Sequence, residues 1–318
     1  PCSIGVLRTP RDGSTAREVL ENAWALLQRA QTARADSYLE FTPELLAACK
    51  RELCLSSALS DCVNRGFAGF RIVIQPQVRT GSGEIIGGEA LLRWNYQGEE
   101  IPPSTFIPIL ERMDLMVPVG KWVITQVMQA CRRLLRLDKD FLLSFNVSYP
   151  QIKDDTLYDF IRKTMEEYGV PGRNLLIELT ESHFDEMPEK LGTFVEQCRG
   201  LGIGFALDDY GTAYSSLQML LRYPADLIKL DQSLTEEIAS SMDKLDFIMS
   251  IIYACHRFGK KVCVEGVETE EELRLVSRTG CDFIQGFYLY YPKELPELES
   301  ILAVRQDGRR EREEPSDR

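Results

Sequence analysis

From Phe70 onward the chain repeats one pattern: a short apolar run of strand character, a polar residue near its end, then a stretch of helical period. FRIVIQP and GEIIGGEALLRW come first, separated only by QVRTGS. That connection is too short for a crossover helix and predicts a hairpin. A helical stretch is expected over about 104–137, broken near Pro118. LLSFNVS, LLIELT, GFALD, DLIKL, KVCVE and DFIQG follow, with amphipathic segments between most of them. Eight strands in mostly βα order predict an α/β fold, a modified TIM (β/α)8 barrel whose first strand is antiparallel to the rest.

The polar residues that end these runs are the chemical signal. They are Glu89, Asn146, Glu178, Glu181, Asp208, Asp209, Lys229, Glu265, Glu268 and Gln285. Each has a structural explanation on its own. Glu89 suits the outer face of a strand, Asn146 a turn, and Asp208-Asp209 before Tyr210-Gly211 a helix cap. Lys229 can extend from a strand end, and Gln285 can satisfy a loop backbone. Recurrence at the same end of successive strands is different evidence, because barrel sites form at that end. A ring of oxygen ligands there suits hard divalent metals and phosphate chemistry. Adjacent aspartates can bridge two ions, and Asn146 adds a neutral oxygen. Lys229 can orient a water or screen a phosphate, and Arg93 offers a fork for phosphate oxygens.

Composition narrows the partners. The chain of 318 residues has a formal net charge of −12, which argues against a DNA or RNA polymer or an anionic membrane face. A small phosphorylated ligand stays compatible with it. Nine cysteines without a CxxC pair point to a reducing, cytoplasmic setting, and two distant histidines give no zinc-ligand spacing. No apolar run approaches membrane-spanning length. The start at Pro1, without an initiator Met, is the basis for expecting a longer parent protein. That parent would carry an upstream regulatory or sensor domain, with room there for a membrane anchor.

Residues 1–69 read separately, as a small α+β piece. PCSIGVL and SYLEF predict short strands, and AREVLENAWALLQRAQTARA predicts a helix with Val19, Ala23, Leu26 and Leu27 on one face. Pro43 opens a second helix to about Val63, with Leu46, Leu53 and Leu59 apolar, closed by Asn64-Arg65-Gly66. The charged segment 305–318 predicts a disordered tail.

EALLRW at 89–94 resembles the signature of the EAL-type cyclic-di-GMP phosphodiesterases. The similarity continues through Gln75-Pro76, IPPSTFIPILE from Ile101, FNVS at 145–148 and ELTES from Glu178. It goes on through DDYGTAYSSL from Asp208, DLIKLD from Asp226, VEGVE from Val264 and QGFYLYYP from Gln285. The resemblance implies a barrel over 68–304 that hydrolyses cyclic-di-GMP to linear pGpG in bacterial second-messenger signalling, with two Mg2+ or Mn2+ ions. It implies that Glu89, Asn146, Glu178 and Asp208 ligate the first metal, and that Asp208 and Asp209 ligate the second. Lys229 and Glu265 match positions that handle the attacking water, with Glu265 the general base. Gln75, Arg93 and Gln285 match substrate contacts, and Glu181 and Glu268 match positions that support the loop after Asp209. A homodimer is implied as well. Tyr210 and Ala213 depart from the usual DDFGTGYSSL. Residues 1–42 are similar to the closing part of a GGDEF-type domain, degenerate and without its signature, and 43–67 would be a linker helix. The rival readings are a cyclic-di-GMP receptor that binds without cutting and signals through its 43–64 helix, and a pure interaction domain.

Overall fold

The computed structural model describes residues 4–32, 38–180, 188–211, 220, 224–236, 238 and 242–313. Its strands are β1 (Ile4–Val6), β2 (Tyr38–Glu40), β3 (Phe70–Arg79), β4 (Ile85–Tyr96), β5 (Glu99–Ile101) and β6 (Leu142–Asn146). They continue as β7 (Leu175–Thr180), β8 (Gly204–Tyr210), β9 (Leu227–Leu230), β10 (Lys261–Val264) and β11 (Phe283–Ile284). The chain divides into two compact units. One is Pro1–Gly69 with Tyr96–Leu115, and the other is Phe70–Asn95 with Met116–Arg318. Among the described residues no helix is long and apolar enough to cross a membrane.

In the first unit β1 pairs in parallel with β2, Ile4 opposite Tyr38 and Val6 opposite Glu40. The helix Ala16–Thr32 buries Ala25, Leu26 and Ala30; of the face expected, Val19 and Ala23 are half-buried and Leu27 is exposed. Gly5 lies against Leu26, close enough that a Cβ there would sit 2.9 Å from Cδ2. The helix Pro43–Asn64 is capped by Thr42, whose Oγ1 accepts from Leu45 N at 3.1 Å. It buries Cys49, Leu55, Leu59 and Cys62 and leaves Leu53 60% exposed. The segment Tyr96–Leu115, read from sequence as part of the barrel, groups with this unit. Its helix Pro103–Arg112 buries Phe106, Ile109 and Leu110. Arg112 pairs with Glu52 and Glu99 with Arg51, tying it to the Pro43–Asn64 helix.

The break in the 104–137 stretch lies before Pro118. Asp114 takes a left-handed φ of 54° between the helices Pro103–Arg112 and Met116–Leu134. Pro118 sits in the first turn of the second helix, where a missing N–H removes no intrahelical bond.

In the second unit eight strands close on themselves in the order β3-β11-β10-β9-β8-β7-β6-β4, with β3 pairing back onto β4. From β4 to β11 all neighbours run parallel; β3 is antiparallel to both β4 and β11. The reversed first strand of the sequence reading is therefore present. Side chains alternate in and out along each strand. Ile177, Phe205, Ile228, Val264 and Ile284 face the helical layer in the main core. Leu176, Ala206, Leu227, Cys263 and Phe283 form a separate cluster inside the barrel. Burial pushes the Cys131 and Cys198 thiols up to about 12, as expected of cysteines acting as small hydrophobes. The helix Leu295–Glu313 extends into the charged segment that composition marks as a tail.

Candidate active site

Adding two residues to each member of the interior apolar cluster gives the next layer toward the strand C-termini. Leu176 leads to Glu178, Ala206 to Asp208, Leu227 to Lys229, Cys263 to Glu265 and Phe283 to Gln285. The strand period alone stacks a polar layer on an apolar one. Lateral register completes it: Glu178 lies opposite Asn146, Asp208 opposite Thr180, and Gln75 opposite Glu89.

Lys229 Nζ is the centre of this layer. It lies 3.0 Å from Glu89 Oε2, 2.7 Å from Glu178 Oε2, 3.0 Å from Asp208 Oδ1 and 2.8 Å from Glu265 Oε1. The lysine is 1% exposed and Glu178 is fully buried. Gln285 Nε2 donates to Glu89 Oε2 at 2.8 Å and to Gln75 Oε1 at 3.2 Å. Gln77 Nε2 in turn holds Gln285 Oε1 at 2.8 Å, which fixes that amide's orientation. Asn146 Nδ2 donates to Glu89 Oε1 at 2.9 Å. Ligation through Asn146 Oδ1 requires the amide to turn over.

Burial penalises each carboxylate, and their mutual repulsion adds to it. Desolvation, then Glu89, raises Glu178 well above the ordinary carboxylate range; desolvation also raises Asp208. Burial pushes Glu265 up to about 8 although Lys229 opposes it. Asp209 is raised to about 6 by burial and by Asp208 beside it. For Glu89 the cost of burial is outweighed by Lys229 and the Gln285 hydrogen bond, and its pKa is lowered. Lys229 is likewise raised well above its usual value, the surrounding carboxylates overcoming its burial.

The residues fit a divalent cation. Four carboxylates face one ammonium, which leaves three negative charges without a matching cation if all ionise. Glu178 Oε1 is buried with no hydrogen-bond partner, and Asp208 Oδ1, though near Lys229, lies outside hydrogen-bonding geometry. Oxygens of Glu89, Glu178 and Asp208 lie within 4.8 Å of one another. An all-oxygen donor set of this kind suits a hard divalent cation.

These shifts predict an unusual pH dependence. Glu265 binds more protons folded than unfolded between its ordinary pKa of 4.5 and about 8, and Asp209 does so between 3.8 and about 6. Stability therefore falls with rising pH across that window. In chelator, Tm is expected to drop from pH 5.5 to pH 8, and Mn2+ or Mg2+ to restore it most at pH 8. A Tm in chelator that is flat or rises over this range contradicts the assignment.

Above the layer lies a cavity of about 260 Å³, lined among others by Gln75, Glu89, Asp208, Asp209, Lys229, Glu265, Glu268 and Gln285. Asp209 reaches it through a left-handed φ of 56° that interrupts the strand alternation. Gly266, at φ 71°, turns the chain between Glu265 and Glu268 where a Cβ would meet Gln232 at 2.3 Å. Arg93 is not in the lining, and its Nη1 donates to Leu92 O at 3.0 Å. Glu181 and Ala213 lie outside the described residues, as does the loop that Glu181 and Glu268 were expected to support. The sequence reading did not single out Gln77, Asp231, Gln232 or Phe287. The last three line the cavity, and Gln77 anchors it.

The sequence profile of the EAL domain matches residues 58–292. The chain belongs to the EAL domain family. It is 32% identical over 308 residues to the bifunctional diguanylate cyclase/cyclic di-GMP phosphodiesterase MucR of Pseudomonas aeruginosa, covering 95% of this chain and 44% of that protein. It is 30% identical over 296 residues to the cyclic di-GMP phosphodiesterase PdeR of Escherichia coli, covering 92% and 44%. The chain thus spans less than half the length of these EAL relatives. The structure of the PaMucR phosphodiesterase in complex with c-di-GMP superposes with a TM-score of 0.72 at 32% identity, over 77% of this chain and 99% of that one. The EAL enzyme Bd1971, bound to cAMP and cyclic-di-GMP, gives 0.74 at 29% identity over 80% and 70%.

Proposed function

We propose that this chain is a metal-dependent phosphodiesterase of the cyclic-guanylate-specific class, hydrolysing cyclic-di-GMP to linear pGpG. The observation that carries the proposal is the buried layer of Glu89, Glu178, Asp208 and Glu265 around Lys229, in a family whose relatives bear that activity in their names. Glu89, Asn146, Glu178 and Asp208 would hold one Mg2+ or Mn2+, and Asp208 with Asp209 a second. Bound there, such ions neutralise phosphate charge and make water nucleophilic near neutral pH.

The protein groups do the rest. Glu265, which lines the cavity and lies 2.8 Å from Lys229 Nζ, would take the proton of the attacking water as its general base. The water oxygen would bond to phosphorus as the P–O3′ bond breaks, the 3′ oxygen would take a proton from solvent water to leave as the hydroxyl, and Glu265 would return its proton to solvent. Lys229 keeps the four carboxylates in register and presents positive charge to the phosphate side of the layer. Gln75 and Gln285 would contact the substrate, and Gln285 also holds Glu89. Arg93 remains a proposed phosphate contact, and Glu181 and Glu268 remain proposed supports of the loop after Asp209. The cytoplasmic setting, the homodimer and an upstream regulatory domain belong to the same proposal.

The test is chromatographic. Cyclic-di-GMP is incubated with the protein and Mg2+ or Mn2+ at several protein concentrations, and pGpG is followed. Product that vanishes with chelator is the expected result, and a specific rate that rises with concentration supports the homodimer. Tight nucleotide binding without turnover in metal sinks the enzyme and supports a receptor.

A further inference from the structure

Phe287 lines the cavity beside Gln285 and Gly286, yet its side chain is neither buried nor part of the core. It is 44% exposed. Its ring stacks on Tyr291, centroids 4.8 Å apart and planes within 19° of each other, and Tyr291 is itself 61% exposed.

The backbone beneath this pair is clamped. A Cβ on Gly286 would lie 2.1 Å from Val267 O, so the chain passes there in direct contact. Tyr288 N donates to that same oxygen at 3.1 Å, and Tyr290 N donates to Gly286 O at 3.0 Å. Gln75 Nε2 holds Tyr290 O at 3.3 Å. The ring pair thus stands on the same hydrogen-bonded frame that sets Gln285 against Glu89.

Cavity size supplies the second observation. At about 260 Å³ it is smaller than the roughly 300–1,000 Å³ that enclose drug-sized ligands. A cyclic dinucleotide with its phosphate on the carboxylate layer would outgrow this volume, which would leave a planar base at the rim that Phe287 lines. We propose that Phe287, propped by Tyr291, is the stacking platform for one guanine of the substrate and so a specificity residue of this site. The proposal rests on the phosphodiesterase reading above. Tyr291 covers one face of the phenyl ring and the base covers the other. Base–aromatic stacking is tolerant of base identity and depends on the π face. The platform therefore selects nucleotides over base-free phosphodiesters, and leaves the choice among bases to hydrogen bonding.

The experiment compares Phe287→Leu and Phe287→Trp with the unsubstituted protein, reading KM and kcat for cyclic-di-GMP and its Kd in chelator. Leucine keeps apolar volume without a π face; tryptophan keeps the face. Stacking of this kind is worth about 5- to 150-fold in affinity per base. Phe287→Leu should raise KM and Kd by a factor in that range, with the loss concentrated in KM. Phe287→Trp should restore both, and Tyr291→Ala should give a smaller loss in the same direction. Leucine within twofold of the parent in KM and Kd overturns the platform, since apolar contact would then suffice. A loss that tryptophan fails to restore, or equal loss on bis-methyl phosphate diesters lacking a base, also overturns it. If the parent protein neither binds nor cuts cyclic-di-GMP, the phosphodiesterase reading fails, and the platform falls with it.

Discussion

Replacing Lys229 with methionine is expected to abolish turnover and to destabilise the metal-free fold by about 3–5 kcal/mol, the usual cost of removing one partner from a buried ion pair. The isostere keeps the volume of the side chain, so no cavity is added to the effect. Four carboxylates that lie 2.7–3.0 Å from Nζ lose their common cation. Some respond by taking up protons, which makes the loss depend on pH. At pH 5.5 protonation is nearly free for groups whose pKa is already raised, and the destabilisation is small. At pH 8 it is not, and the full cost appears. Urea unfolding in chelator at both pH values measures this, and Mn2+ should return part of the lost stability without returning activity. An unchanged urea midpoint at pH 8 would mean that the ammonium is not what holds the layer together.

Much of this arrangement was legible in the sequence because a strand has period two. Once LLIEL, GFALD, DLIKL and KVCVE are read as parallel strands, Glu178, Asp208, Lys229 and Glu265 must share a face with the residue two before each. Ten-residue β3 carried the same signal for Gln77, which has the parity of Gln75, but its role depends on Gln285 arriving from the far end of the chain. Closure of a barrel is not a local property. Arg93 illustrates the opposite limit. It has the parity of Glu89, yet β4 stays paired with β6 only as far as Ala90 opposite Phe145 and continues beyond as a hairpin with β3. Parity places a residue on a face, and only the neighbouring strand's length tells whether that face still lines the barrel. The grouping of Tyr96–Leu115 with the first unit was hidden for a related reason, since its helix has the same amphipathic period as one packed on the barrel.

Glu89→Ala is expected to lower turnover by roughly 10³-fold or more while leaving the fold in place, about 4 kcal/mol of lost transition-state stabilisation. Glu89 is the site carboxylate whose pKa is lowered, so it is ionised across the whole useful pH range. Its oxygens take hydrogen bonds from Lys229, Gln285 and Asn146, and it is one of the three carboxylates close enough to share an ion. No comparable loss of stability follows, because Lys229 retains Glu178, Asp208 and Glu265, and one buried negative charge is removed. The two substitutions therefore separate the roles within one layer. Loss of the lysine weakens fold and chemistry together, whereas loss of the glutamate weakens chemistry and metal affinity alone. Calorimetric titration of Mn2+ into the folded variant, alongside pGpG formation and Tm in chelator, reads all three quantities. Near-normal hydrolysis by Glu89→Ala would overturn the metal-site assignment, and a Tm loss matching that of the lysine variant would make Glu89 a structural anchor instead of a ligand.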